Sequence, residues 1–329
     1  MLSKLFSSLY NKVFVNIVIQ KSQTLVYVQE DSKSGMVRNN YEEFSTTTIN
    51  NKMHNFIESY TNETPFSYIS VLDNSKSQGA VPNCNKRDIL PFFDESTSKY
   101  ICYNHSWTFY TSKYDLNSLQ KHYERVGVDF IFSPFLILSN FFKDKIKTTF
   151  ALFILIEETH ITIGVFDNTK LLYADHITMH NAFDGNNLLI DEDEDDFELD
   201  LDTIDLDTLD DEELDNFSQI EDLDGMEEID EFAESIEDKT PVNIDEDKPS
   251  DNNELNDDYD RFTIIQKSIN NFYKDTKYDS KFIEQTYVAD AIGVSVELKG
   301  YLEEEMFLTT FIRKIDLNHE VYVLAKAEI

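Results

Sequence analysis

Residues 150–177 read FALFILIEETHITIGVFDNTKLLYADHI. Residues 150–156 are an unbroken apolar run, 159–166 alternate apolar with polar, Asp167-Asn168 supplies a turn, and 171–177 are rich in β-favouring side chains. The spacing predicts three consecutive antiparallel strands with tight connections, the first buried on both faces. Such a meander must be covered on both sides, so helices or a second sheet are expected before and after it. An α/β architecture follows.

Upstream, the pattern predicts a short amphipathic helix over 1–12, with Leu2, Leu5, Phe6 and Leu9 at helical spacing, read as packing on its own domain or as a foot on a membrane or partner. A strand hairpin is expected over 13–19 and 23–29, a loop at 31–35, a helix at 53–60 and a strand at 66–72. Residues 73–88, with Gly79 and Pro82, read as a loop or a small subdomain element, and 100–111 as strand. A helix over 116–126 carries Leu116, Leu119 and Tyr123 on one face, with Asp115 as its cap and Gly127 as its stop. An extended stretch at 128–131 precedes a helix opened by Pro134, with Lys143 and Lys145 in its last turn.

Downstream, the composition changes abruptly. Residues 191–260 hold 34 Asp and Glu against 2 Lys and Arg, a net charge of −32 out of the chain's −36. The rest is nearly neutral, with 30 acidic and 26 basic residues. Low hydrophobicity with high like charge does not compensate the entropy of ordering, so 191–258 is expected to be a disordered acidic insertion, with transient helices around 209–217 and 226–236. Order is expected again from Tyr259: a helical stripe of Phe262, Ile265, Ile269 and Phe272, a strand at 282–288, a helix at 298–306, and strands at 307–315 and 320–325. These elements are too few for a separate core, so they should pack back onto 1–190. The expected division is 1–190, the insertion 191–258, and 259–329 closing the same architecture.

The charge balance argues against nucleic acid and anionic membrane surfaces, since basic patches are missing. Cys84 and Cys102, without a CxxC, fit free thiols in a reduced cytosol, with a bridge between them as the alternative. No apolar stretch approaches the 18 or so residues that a membrane-spanning helix requires, and no cleaved signal is expected. A soluble protein is the expectation.

Four strings carry a resemblance: SKLFSSLYNKVFVNIVIQKSQTLVYV (3–28), YDLNSLQKHYERVGVDFIFSPFLILSNFF (114–142), FILIEETHITIGVFDNTKLLYADHI (153–177) and IIQKSINNFYKDTKYDSKFIEQTYVADAIGVSVELKGYLEEEMF (264–307). In order and pattern the chain resembles the actin-like cytoplasmic proteins of type IV pilus and type II secretion assembly, the PilM family and the cytoplasmic part of GspL. The resemblance implies an actin-like, ribonuclease H-like fold: duplicated domains with mixed sheets flanked by helices. It also implies a nucleotide site between two hairpins whose loops carry Asp-x-Gly, glycine admitting phosphate to backbone N–H groups and aspartate positioning Mg2+. Here the alignment places Val18 at the first Asp, Gln20 at its Gly and Leu25 at a basic position. Glu157 stands near the second Asp, Glu158 to His160, Thr159 among them, supply no glycine, and only Gly293 survives of the third loop's glycine run, after Ala291 and Ile292.

A non-catalytic assembly platform is therefore expected, bacterial and cytoplasmic or peripheral at the inner membrane. It would bind neither ATP nor Mg2+ and would dock the tail of a bitopic inner-membrane protein and a secretion-type ATPase of a pilus, secretion or DNA-uptake machine. The insertion would serve as a flexible electrostatic arm for a basic partner. The alternatives are an actin-like ATPase with residual nucleotide binding, and an acidic binding or decoy module.

No catalytic set is named. Ser, His and Asp occur without a GxSxG elbow, and neither cysteine sits in a nucleophile motif. His176 and His180, with Asp175 and Asp184 nearby, could be drawn as metal ligands, but they follow a strand and read as solvated strand-end side chains. Asp222, Asp224 and Gly225 resemble a calcium loop, but Ile220 stands at its first ligand position. Trp107 reads as packing.

Overall fold

In the computed structural model, residues 10–179 and 252–329 are described, the side chains of 252–256 excepted. The expectations for the helix over 1–12, apart from its last residues, for the acidic insertion up to residue 251, for both of its transient helices, and for His180, Asp184, Ile220, Asp222, Asp224 and Gly225 fall outside the described residues.

The alternating first hairpin forms β1 (Lys12–Ile19) and β2 (Thr24–Ser32), paired antiparallel. The loop expected at 31–35 is in fact a tight reversal into a third strand, β3 (Gly35–Phe44). This strand escapes the sequence pattern because its residues, GMVRNNYEEF, are exposed on both faces except near Phe44. Helix α1 (Asn51–Thr61), capped by the Asn50 side chain, leads to β4 (Ser67–Leu72), which pairs parallel with β1. Residues 73–112 build a separate three-stranded sheet from β5 (Gln78–Val81), β6 (Ser98–Tyr103) and β7 (Trp107–Ser112), with the short α2 (Lys86–Ile89) between β5 and β6. The strand expected over 100–111 is thus a hairpin.

Helix α3 (Lys113–His122) starts earlier than expected. Its cap is Ser112, whose hydroxyl accepts from the N–H groups of Tyr114 and Asp115, so Asp115 lies in the first turn. Then come β8 (Phe130–Phe132), parallel to β4, and α4 (Pro134–Phe141), with Pro134 opening the helix behind a Ser133 cap. Lys143 and Lys145 belong to a separate turn, α5 (Lys143–Ile146). The meander forms β9 (Phe150–Ile156), β10 (His160–Asp167) and β11 (Lys170–Thr178). Every residue of β9 after Phe150 is buried, as its unbroken apolar run requires. Gly164 is needed in β10 because a Cβ there would meet the Phe166 ring at 2.8 Å.

After the undescribed segment, α6 (Asn252–Lys274) begins seven residues before the expected return of order at Tyr259. Strand β12 (Gln285–Asp290), α7 (Val296–Glu304) and β13 (Thr309–Lys314) follow. The strand expected at 320–325 is instead within helix α8 (Leu317–Ala327). Its Leu317, Val321, Tyr322 and Ala325 are buried at helical spacing, and tertiary packing against β1 overrides the β preference of Val-Tyr-Val.

The strand orders are β3-β2-β1-β4-β8 and β11-β10-β9-β12-β13. In each sheet the first three strands are antiparallel and the last two join in parallel, so one topology occurs twice. That duplicated mixed sheet, flanked by helices, is the actin-like, ribonuclease H-like architecture. Strand β12 lies beside β9, so residues on both sides of the undescribed segment complete one sheet. Three buried clusters hold the body together. One joins Phe14 and Val18 of β1 to Phe153 of β9 through α4 and α8, one covers the second sheet with α6 and α7, and one covers the first with α1 and α3.

Cys84 and Cys102 are joined in a disulfide. The expectation of free thiols is overturned, and with it the support that the cysteines gave to a reducing compartment. The hairpin packing of β6 on β7 brings Cys102 beside the segment that follows β5, a proximity no linear spacing reveals. Trp107 is buried against Tyr103, Phe109 and Phe166, in line with its reading as packing.

Candidate functional site

Three loops stand where an actin-like fold would hold phosphate and adenine: the β1–β2 turn, the β9–β10 turn and the loop between β12 and α7. In the first, Val18 is buried in the core and cannot face a ligand. The turn closes on itself, Gln20 N–H donating to the Gln23 carbonyl at 2.8 Å and Gln23 Nε2 to Gln20 Oε1 at 2.8 Å. The Lys21 backbone N–H, at the turn's tip, donates to Glu158 Oε2 at 2.9 Å. Glu158 belongs to the second turn, so the two hairpins are tied to each other by a carboxylate of the chain itself.

The second turn is closed by Glu157 N–H donating to the His160 carbonyl at 2.9 Å. The Glu157 side chain is buried and its Oε2 has no hydrogen-bond partner. Burial first, and then the nearby charge of Asp73, push its carboxyl up to about 8. Thr159 lies at 2.8 Å from His160 Nδ1 and is turned to that ring. His160 stacks on His176 with centroids 4.8 Å apart and planes 11° apart. Burial pushes His160 down to about 4, helped by Lys76, and His176 down to about 3, helped by His160. His176 is therefore not the solvated side chain expected. It sits inside β11, its Nδ1 at 2.9 Å from Thr162 Oγ1, because the strand continues to Thr178.

In the third loop, Asp290 Oδ1 accepts from the backbone N–H groups of Ile292 at 3.0 Å, Gly293 at 2.7 Å and Val294 at 3.1 Å. Gly293, at φ +86°, makes the left-handed turn that aims these donors inward. The next donor, Ser295 N–H, is taken by Asp258 Oδ2 at 2.9 Å, and Asp258 is in turn bridged to Arg261. Successive backbone N–H groups of a loop leading into a helix form an anion-binding nest when free. Here in-chain carboxylates occupy four of them in succession.

The five expected positions are thus scattered in role. Gln20, Thr159 and Gly293 lie in the three loops, Glu157 points into the protein, and Val18 is core. Sequence reading passed over Asp290, Glu158, Asp258 and the His160–His176 stack. Asp290 had a signal, an acidic residue at the end of an apolar strand directly before Ala-Ile-Gly. The others are joined only by the fold. Among the described residues no group of three or more His, Cys, Asp or Glu is placed to hold a metal ion.

A separate cavity of about 360 Å³ opens between the small sheet and the edge of the first sheet, lined by Lys99, Tyr100 and Ile101 of β6, Phe109 of β7, Leu116 of α3 and Ile131 of β8, among others. Both β6 and β8 are edge strands of their sheets, and Ile101 is exposed at its rim.

A family model described as domain of unknown function DUF8341 matches residues 152–329, more than half of the chain. The chain belongs to this family. A second model, domain of unknown function DUF8569, matches residues 10–139, so the DUF8341 region begins inside β9 and carries the second sheet. No curated protein matches the sequence. Among solved structures, a Bacteroides thetaiotaomicron protein with actin-like ATPase fold and unknown function shares 8% identity over 95% of this chain and 96% of its own, with a TM-score of 0.44. The PilM-PilN type IV pilus biogenesis complex shares 8% identity over 93% of this chain and 89% of its own, with a TM-score of 0.46. An exopolyphosphatase from Cytophaga hutchinsonii shares 5% identity over 50% of each chain, with a TM-score of 0.27. The fold assignment rests on the duplicated strand order.

Proposed function

We propose that this DUF8341 protein is a non-catalytic assembly platform: an actin-like body whose nucleotide loops have been converted into internal ties, working in the cytoplasm at the inner membrane. The observation that carries this reading is the capture of loop donors by the chain's own carboxylates, Lys21 N–H by Glu158 and the 292–294 run by Asp290. A phosphate entering either loop would have to displace a carboxylate already hydrogen-bonded there, and would meet its charge. The buried, protonated Glu157 adds no metal-binding charge where the family's second aspartate stands.

The platform serves a type IV pilus or type II secretion-like machine, by its resemblance to the PilM and GspL proteins, and docks the tail of a bitopic inner-membrane protein together with a secretion-type ATPase. The cavity between β6 and β8 is suited to such a tail. It lies between two edge strands that could pair with an added backbone, and its lining sets Tyr100, Ile101, Phe109, Leu116 and Ile131 beside the charged Asp73, Glu95, Lys99 and Lys113. Among the described residues no helix is long and apolar enough to cross a membrane.

Titration of the full chain with Mg-ATP, followed by calorimetry and by thermal melting, tests the proposal. No binding heat and an unchanged Tm at millimolar nucleotide are expected. A saturable rise in Tm would overturn the platform reading in favour of an ATPase, because a ligand selective for the folded state must stabilise it.

A further inference from the structure

Outside the three loops and the β6–β8 cavity, the segments that lead into β12 and β13 carry two exposed phenylalanines. Phe282 is 67% exposed and Phe307 78%. The two strands run parallel, with Gln285 opposite Thr309 and Thr309 N–H donating to the Glu284 carbonyl at 2.8 Å. Phe282 and Phe307 each lie two residues before that hydrogen-bonded pair, so both sit at one end of the sheet. Phe311, 44% exposed in the edge strand β13, is turned to the sheet face and stacks on Tyr287 with ring centroids 5.0 Å apart.

Phe307 is costly twice. Its backbone is left-handed, φ +57°. It lies in the turn that follows α7, where the Leu308 N–H donates to the Leu302 carbonyl at 3.1 Å, and glycine adopts such a left-handed backbone at least steric cost. A bulky L-residue is disfavoured there, and a large ring left in water adds nothing to folding. Strain held by an exposed aromatic points to a contact made outside the chain.

The surroundings indicate the chemistry of that contact. Glu284, Glu304 and Glu305 are exposed around the patch. The nearby cations are engaged, Lys281 with Asp167 at 2.7 Å and Lys299 with Glu303 at 3.7 Å. Arg313 and Lys314 lie at the other end of β13, about 15–20 Å along the strand. Two apolar anchors inside an acidic rim complement a segment with basic residues flanking an apolar side chain. A second copy would set the same glutamates against one another, and an anionic lipid surface would be repelled.

We infer that the end of the second sheet formed by Phe282 and Phe307 is a docking surface for a basic, apolar-anchored segment of another protein. It lies on different elements from the β6–β8 cavity and does not depend on the platform reading.

A photo-crosslinking phenylalanine analogue placed at position 307 of the full chain, expressed in its native host, would capture the occupant, and mass spectrometry of the crosslinked peptide would give its sequence. That peptide, synthesised, is then titrated against the wild-type protein, Phe307→Gly and Phe282→Ser at low and high salt. The expected result is a peptide rich in Lys or Arg with an apolar anchor, bound at least tenfold more weakly by either variant and more weakly at high salt. Phe307→Gly should melt no lower than the wild type. An acidic peptide, a peptide of this same chain, no crosslink, unchanged affinity in both variants, or a lower melting point for Phe307→Gly would each overturn the inference.

Discussion

Glu157 is the residue at which this protein departs most clearly from a charged nucleotide site. Its folded carboxyl keeps its proton up to about 8, whereas in the unfolded chain it ionises near 4.5. Between those values the unfolded state binds fewer protons, so this group makes stability fall as pH rises, by up to about 1.4 kcal/mol per unit. His160 and His176 act in the opposite sense. Neutral when folded down to about 4 and about 3, but ionising near 6.5 when unfolded, they contribute stability that is present above 6.5 and lost as pH falls through their folded values. The three groups together predict a Tm profile that peaks near pH 6.5. Glu157→Gln should abolish the descending limb and stabilise the protein at pH 8.5 by about 2 kcal/mol, after allowing for an imperfectly bonded amide. Thermal melts of both proteins from pH 5 to pH 9 check this, and a parallel decline in the two profiles would show that Glu157 is ionised in the fold.

Among the elements, the small sheet and α8 depend most on contacts made far along the chain. The Cys84–Cys102 bridge closes a loop of 18 residues between β5 and β6. Its loss by Cys102→Ser is expected to cost about 3 kcal/mol. Chemical denaturation with and without dithiothreitol measures it, and reductant should shift the wild type but not the variant. Helix α8 is fastened to the first sheet by Asp31, whose Oδ2 accepts from Tyr322 Oη at 2.6 Å and Lys326 Nζ at 2.6 Å while Oδ1 accepts from Gln29 at 2.8 Å. Burial works to raise the Asp31 pKa, but the hydrogen bonds from Gln29, Lys326 and Tyr322 outweigh it and hold the carboxyl below its usual value. Lys326 is half exposed, so Lys326→Ala should cost only about 1 kcal/mol, read from the same denaturation curves. A much larger loss would mean that α8 detaches as a unit.

For the whole molecule, the adjacency of β9 and β12 means that the body is one structure interrupted by a long connection. Replacing residues 184–248 by a flexible linker of similar length should leave the unfolding midpoint of the body nearly unchanged, because the described sheets and their clusters lie in 10–179 and 252–329. Circular dichroism melts of the two chains make the comparison, and a collapse of the linker-substituted protein would show that the acidic segment is part of the core.

The sequence by itself determined the elements whose apolar residues repeat with the period of their structure. The β1–β2 hairpin, the α4 start at Pro134, the 150–177 meander and the Phe262–Phe272 stripe were all legible, because burial selects side chains at intervals of two or 3.6. It also determined that neither hairpin turn carries Asp-x-Gly and that a single glycine, Gly293, stands in the third loop. Strand β3 was not legible because an exposed edge strand has no buried face to write a pattern. The helix at 317–327 was misread because packing on β1 outweighed local preference. Only the tertiary structure decided the disulfide, the His160–His176 stack and the ties of Lys21 to Glu158 and Ser295 to Asp258. Each joins residues distant in sequence, and their distance is set by how two sheets and their helices pack.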